Sequence, residues 1–251
     1  MTTTTTTTCS DLHHSLLALR LSLGRDALEA FLSHALKSRL SPLQVLEQFC
    51  ALERQHRDRT NLERRTRLAC LGRFTPAADL DWSHPKKFDR PLFEQLLGLG
   101  FLRSGDNVLF RGPAGVGKTT FAKNLALEAL KQGHTVLFCS LAACLADLLR
   151  QESVPALERR LRRYTTPHLL VIDEIGYLPC DQRSADLFFH IVSRRHEQRS
   201  LVITTNLPFK EWGSIFPGAA CVSALIDRFV QHCHILDIHA TSWRQKDSSR
   251  S

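Results

Sequence analysis

Gly112-Pro113-Ala114-Gly115-Val116-Gly117-Lys118-Thr119 satisfies the pattern G-x-x-x-x-G-K-[ST]. Before it, Asp106-Asn107-Val108-Leu109-Phe110-Arg111 has the composition of a short buried strand. After it, Phe121, Ala122, Leu125, Ala126, Ala129 and Leu130 recur at helical spacing until Gly133 supplies a stop. A strand, a glycine-rich loop and a helix in this order form a phosphate cradle. The glycines let successive backbone N–H groups converge on a polyphosphate, and the helix adds the positive end of its dipole. Lys118 brings a point charge to the β and γ positions, and the Thr119 hydroxyl suits Mg²⁺. Gly112, Pro113, Ala114, Gly115, Val116, Gly117, Lys118, Thr119 and Thr120 are therefore the expected ATP-binding residues.

Outward from this loop the chain alternates strands and helices. Apolar runs at 106–111, 134–140, 168–173, 200–205 and 233–238 are mostly continuous, as in strands buried on both faces. That pattern predicts a parallel five-stranded sheet flanked by helices, an α/β nucleotide-binding fold. Residues 151–167 interrupt it with charges and two prolines, and read as either a helical insertion or a surface loop.

The segment before the sheet is different. Leucines at helical spacing predict helices over 11–23 and 26–38, and a third starts with Ser41 as N-cap and Pro42 in the first turn, continuing toward Leu71. The expected organisation is a disordered threonine-rich tail at 1–10, a small all-α DNA- or partner-binding domain at 11–74, a linker at 75–90, the nucleotide-binding domain at 91–245 and a tail at 246–251.

Two strand ends carry polar groups suited to hydrolysis. Leu169-Leu170-Val171-Ile172-Asp173-Glu174 delivers adjacent carboxylates to a C-terminal tip, where open α/β sheets bind their ligands. Asp173 suits Mg²⁺ together with Thr119, and Glu174 suits polarisation of the water that attacks the γ-phosphate. Leu201-Val202-Ile203-Thr204-Thr205-Asn206 ends a second strand, and Asn206 is placed to orient that water.

The 251 residues carry a net charge of +8, which favours a polyanionic partner. Arginines 54, 57, 59, 64, 65 and 67 crowd one stretch, Lys86, Lys87 and Arg90 follow, and Arg159, Arg160, Arg162 and Arg163 form a third cluster. No apolar run approaches the roughly 20 residues that span a bilayer, and the N-terminus has no leader pattern, so a cytosolic location without membrane association is expected. Eight cysteines without a C-x-x-C pair read as reduced, mostly buried thiols. Cys221, His232, Cys233 and His234 lie close in sequence, but residues 232–234 alternate sides on a strand and do not converge on one ion.

Taken together, Gly112 to Thr119, Leu169 to Tyr177, Ile203 to Pro208, and Ala224-Leu225-Ile226-Asp227-Arg228 resemble the IstB-like ATP-binding proteins. These are transposition helper ATPases of bacterial insertion sequences, related to DnaC-type helicase loaders within the AAA+ class. The resemblance spans roughly residues 11–245. It implies a bacterial cytoplasmic protein that forms a homo-oligomer on duplex DNA, binds ATP between neighbouring subunits and presents DNA to a cognate transposase. It implies that Arg228 is an arginine finger reaching the γ-phosphate held by the next subunit. The family's Gly-x-Ser-Tyr-Arg stretch corresponds here to Ala240-Thr241-Ser242-Trp243-Arg244, which lacks the glycine and leaves the role of Arg244 as a nucleotide sensor open. Residues 213–222 are more apolar than a solvent loop needs and are expected to pack on a neighbouring subunit. Two other functions share parts of this pattern: a loader of the replicative helicase, and a phosphotransferase acting on a metabolite. Glu174 and the basic helical N-terminal segment argue against the latter, because a phosphotransferase must exclude water.

Overall fold

A computed structural model describes residues 8–80, 82, 85, 87–176, 180–218 and 220–240. The expectations for Lys86, Tyr177, Arg244 and the 246–251 tail lie outside the described residues, as does most of the threonine run. The chain divides into two compact units, residues 1–64 and 65–251.

In the first unit, α1 (Cys9–Ala18) and α2 (Arg25–Lys37) precede a long helix, α3 (Pro42–Ala69), whose residues from 65 onward belong to the second unit. The first helix stops short of the expected residue 23 because Arg20 turns to φ +60°. The connection beyond it is then tied down by one side chain. Glu53, 4% exposed, accepts from the backbone N–H groups of Ser22 (2.7 Å) and Leu23 (2.9 Å) and from Arg57 Nε (2.6 Å). Burial pushes the Glu53 carboxyl up, but the Ser22, Arg57 and Leu23 donors together outweigh it and hold the group below its ordinary value. The α3 helix ends at Ala69, two residues before the expected Leu71, as Cys70 adopts φ +58°.

The second unit continues through α4 (Arg90–Leu97) and α5 (Gly100–Ser104) into β1 (Asn107–Arg111), α6 (Lys118–Lys131), β2 (Val136–Ser140), α7 (Leu141–Leu149), α8 (Val154–Thr165) and β3 (Leu169–Ile175). Then come α9 (Gln182–Arg195), β4 (Ser200–Thr205), α10 (Trp212–Ile215), α11 (Val222–Val230) and β5 (Cys233–Asp237). The five strands pair in parallel in the order β2-β3-β4-β1-β5. Residues of β1, β3 and β4 are almost wholly buried, which is why their sequences are unbroken apolar runs.

The ambiguous 151–167 segment is a helix. Ser153 Oγ caps α8 by accepting from Ala156 N–H at 3.4 Å, and Pro155 sits in the first turn, where no backbone donor is needed. Its C-terminal end is closed by Arg195, 1% exposed, which donates to the carbonyls of Tyr164, Thr165, Pro167, His168 and Ser200. Burial pulls the Arg195 pKa down to about 9, so the guanidinium stays charged at neutral pH.

Within 213–222, Ile215, Phe216 and Val222 are buried in the chain's own core, at 3%, 1% and 8% exposure. The thiols also differ from expectation. All eight cysteines are free, but Cys144 alone is buried, and Cys50 and Cys70 are exposed. No helix among the described residues is long and apolar enough to cross a membrane.

Candidate functional site

Strand order decides the geometry of the site. Because β4 lies between β1 and β3, the polar tip of β4 separates the glycine loop from the carboxylate pair and touches both. Gly112 N–H donates to Thr205 O at 3.2 Å, which fastens the start of the loop to β4. A Cβ at Gly112 would lie 2.3 Å from Ile238 O, so only glycine permits this close approach of the two segments. Gly117 sits at φ +95° as the N-cap of α6, and Val116, 1% exposed, anchors the loop in the core. Lys118 Nζ donates to Gly112 O at 2.7 Å and Pro113 O at 2.6 Å, so it curls over the loop it belongs to.

On the other side, the register between β3 and β4 shifts between Ile172 and Ile175. This irregularity is centred on the two acidic residues. Glu174 takes φ +62°, unusual for a non-glycine residue and costing on the order of 1–3 kcal/mol. A shift of this kind re-aims successive side chains, as bulges beside active sites do. Asp173 is left nearly buried, at 6% exposure, while Glu174 is exposed.

Thr204 on β4 holds the arrangement in place. Its hydroxyl, on a residue 1% exposed, donates to Asp173 Oδ1 at 2.5 Å and accepts from Glu174 N–H at 3.0 Å. Thr119 Oγ1 lies 3.0 and 3.1 Å from the two Asp173 carboxylate oxygens. A threonine hydroxyl and a carboxylate at this separation are a hard oxygen donor set of the kind Mg²⁺ takes, so the residues present fit the ion. The loop conformation fits a polyphosphate equally, since positive φ at Gly115 (+78°) and Gly117 (+95°) turns consecutive N–H groups to one side.

Asn206 is exposed just beyond the β4 tip, and its Oδ1 lies 3.3 Å from where a Gly176 Cβ would be. It therefore stands beside the Glu174–Gly176 turn. Thr120 lies in the first turn of α6, and its carbonyl accepts from Asn124 Nδ2 at 2.9 Å. Arg228 is placed elsewhere. On α11, its Nη1 donates to Ser193 Oγ at 3.2 Å and its guanidinium stacks 4.7 Å from the Phe189 ring of α9.

Thr204 is the residue that sequence reasoning passes over. A signal exists in retrospect: a hydroxyl within a buried apolar strand must find partners, and here both partners are catalytic candidates. A second unforeseen element is the bidentate pair of Arg111 with Asp237 (2.6 and 2.8 Å), which clamps β1 to β5 at the loop entrance. The Arg111 guanidinium beside it holds the Asp237 carboxyl below its ordinary value.

The basic clusters separate on inspection. On α3, Arg54, Arg57, Arg59 and Arg64 are exposed, with Arg57 paired to Glu53 and Arg59 to Glu63 at 2.9 Å. On α8, Arg160 is committed to Asp147 at 2.5 Å, whereas Arg162 and Arg163 are exposed.

Similarity to known proteins agrees with this geometry. The sequence pattern of a family described as IstB-like ATP binding protein matches residues 14–251. An insertion sequence IS21 ATP-binding protein of Pseudomonas aeruginosa is 33% identical over 223 residues, which covers 89% of this chain and 84% of the relative. An IS232 ATP-binding protein of Bacillus thuringiensis subsp. berliner is 31% identical over 213 residues, covering 85% of each chain. Among solved structures, DnaI superimposes with a TM-score of 0.56 at 17% identity, covering 65% of this chain and 90% of DnaI. The DnaC helicase loader does so with a TM-score of 0.50 at 18% identity, covering 68% and 96%. At such identities the two structures share the fold and no more.

Proposed function

Because this chain belongs to the IstB-like ATP-binding proteins, ATPases of insertion sequences, we propose that it assembles on duplex DNA, hydrolyses ATP between adjacent subunits and presents that DNA to a transposase. The observation that carries the catalytic part is the Thr119–Asp173–Thr204–Glu174 chain of contacts at the strand tips. Mg²⁺ would supply neutralisation of the polyphosphate charge. Thr119 and Asp173 would hold it.

The chain's own groups then divide the work. Loop N–H groups and Lys118 bind and orient the triphosphate. Glu174, exposed and fixed through its own N–H, takes a hydrogen bond from the attacking water and directs its lone pair at the γ-phosphorus. Asn206 fixes the water's second hydrogen bond. Lys118 exchanges its loop carbonyl partners for phosphate oxygens on binding, while the Glu174 backbone is already held by Thr204, which limits reorganisation as charge moves to the β–γ bridging oxygen.

Arg228 supports the proposal that the site is completed in trans. It rests on Ser193 and Phe189, away from the glycine loop, and is half-buried. A guanidinium donated by the next subunit would make turnover depend on assembly. The exposed α3 arginines suit duplex phosphates, an interaction that weakens steeply with salt. Helicase loading is supported by fold alone, whereas the insertion-sequence relatives are near twice as similar in sequence.

The test pairs two variants with particle sizing by light scattering on duplex DNA. Lys118→Ala is expected to lose ATP binding and ATP-driven assembly. Glu174→Gln should keep both and stall hydrolysis. Equal loss of nucleotide affinity in both variants would remove Glu174 from the chemistry.

A further inference from the structure

Away from the glycine loop, the second unit has an open cleft of about 460 Å³ between the last turn of α3, the C-terminal end of α8 and the edge strand β2. Four arginines surround it: Arg65 and Arg67 from one wall, Arg162 and Arg163 from the other. Among the described residues, no acidic side chain lines it. Of the carboxylates nearby on α7 and α8, Asp147 pairs with Arg160 at 2.5 Å and, more distantly, with Arg163 at 3.9 Å, and Glu158 pairs with Arg194 at 2.7 Å. Arg65 donates from Nη2 to Leu130 O at 3.3 Å, while its buried Nε has no acceptor among the described residues.

Beneath this charged rim the cleft is apolar. Val136 and Leu137 form the floor, and Leu68 stands at the edge with 63% exposure. This combination selects among polyanions. A DNA duplex is convex, meets proteins mainly through phosphates, and has no apolar knob to fill a narrow floor. Cationic clusters that serve DNA alone need no apolar base. A peptide with one large apolar side chain between carboxylates satisfies both features, seating the anchor on Val136 and Leu137 and placing its acids against the arginine fork donors. The volume lies within the range of about 300–1,000 Å³ usual for sites that enclose a small ligand or an anchor segment.

We propose that this cleft is a docking site for an extended acidic segment of a second protein, carrying a single large apolar anchor flanked by aspartates or glutamates. The site does not depend on the glycine loop, so the Lys118→Ala chain retains it. Failure of the ATPase reading and failure of this one are therefore separable.

The probe is a fluorescein-labelled peptide of aspartates and glutamates around one phenylalanine, compared with the same peptide bearing serine at that position and with a short duplex DNA. Anisotropy is measured on the full chain, and alkylation of Cys70, which lines the cleft, is followed with exposed Cys50 as internal control. The phenylalanine peptide is expected to bind, to slow alkylation of Cys70 and to leave Cys50 unaffected. Arg67→Glu and Arg162→Glu, both on exposed side chains, should each weaken it by about tenfold or more, because like charges then face each other. Leu68→Ser should weaken the phenylalanine peptide alone. No binding by the phenylalanine peptide, or equal binding of the serine peptide, would overturn the proposal. So would protection of Cys70 by the duplex with loss of duplex affinity in Arg67→Glu and Arg162→Glu, which would make DNA the occupant.

Discussion

Replacing Thr204 with valine keeps the shape of a buried residue and removes only its hydroxyl. Two hydrogen bonds are lost, one to the Asp173 carboxylate and one from Glu174 N–H. The first is charge-assisted, worth about 1.5–3 kcal/mol, and the second leaves a donor that sits at an exposed residue and can reach water. A net loss of about 2 kcal/mol follows, or roughly 4–8 °C in melting temperature for a domain of this size. The catalytic effect is larger than the structural one. Glu174 holds a strained φ of +62°, and without the Thr204 hydroxyl its amide loses its partner on β4. A misplacement near 1 Å costs about 100-fold in rate, so kcat is expected to fall by about 10- to 100-fold. ATP affinity should change little, because Lys118 and the loop are untouched, and the Mg²⁺ concentration needed for half-maximal turnover should rise as Asp173 loses its restraint. The assay is steady-state hydrolysis across a MgCl₂ titration below the melting transition, with nucleotide affinity measured separately. Thr204→Ser should restore both parameters. A folded valine variant with unchanged kcat and unchanged Mg²⁺ dependence would refute the reasoning.

Glu53→Ala strands the Ser22 and Leu23 amides and Arg57, and should destabilise the helical unit by about 2–4 kcal/mol, read as faster hydrogen exchange at those two amides. Because the folded Glu53 pKa is depressed, its contribution is complete above the ordinary glutamate value and disappears as pH falls through the lowered one, so acid melts of the parent and alanine chains should converge there. Gly112→Ala must displace the loop from Ile238 O, 2.3 Å from the new Cβ, and should weaken ATP binding by about tenfold or more while thermal stability changes modestly. Arg228→Ala should bind ATP without turning it over, and mixing it with Lys118→Ala should recover part of the activity; complete failure to complement would count against a finger acting in trans.

The sheet was legible because each strand buried on both faces is a continuous apolar run, and the observed strands begin and end within two residues of those runs. The loop was legible from its G-x-x-x-x-G-K-T pattern between a strand and a helix, and the position of Asp173 and Glu174 from the apolar run that ends in them. What escaped depends on contacts between segments distant in sequence. The connection after α1 is held by Glu53 on α3, about thirty residues away in sequence, which local periodicity does not record. The 151–167 helix was obscured by prolines, although Pro155 occupies the first turn, where proline fits, and Pro167 follows the last. The bridging role of Thr204 becomes visible only when β4 is known to pair with β3. Residues 213–222 look like an interface by composition, and only packing shows that Ile215 and Phe216 face inward.

Specific ATPase activity measured across protein concentration, with and without duplex DNA at fixed salt, addresses the central claim most directly. The account predicts activity per subunit that rises with concentration, and rises further when DNA gathers subunits side by side. Activity per subunit that is constant at every concentration and indifferent to DNA would show that each chain hydrolyses ATP alone, and would contradict a site completed by a neighbour.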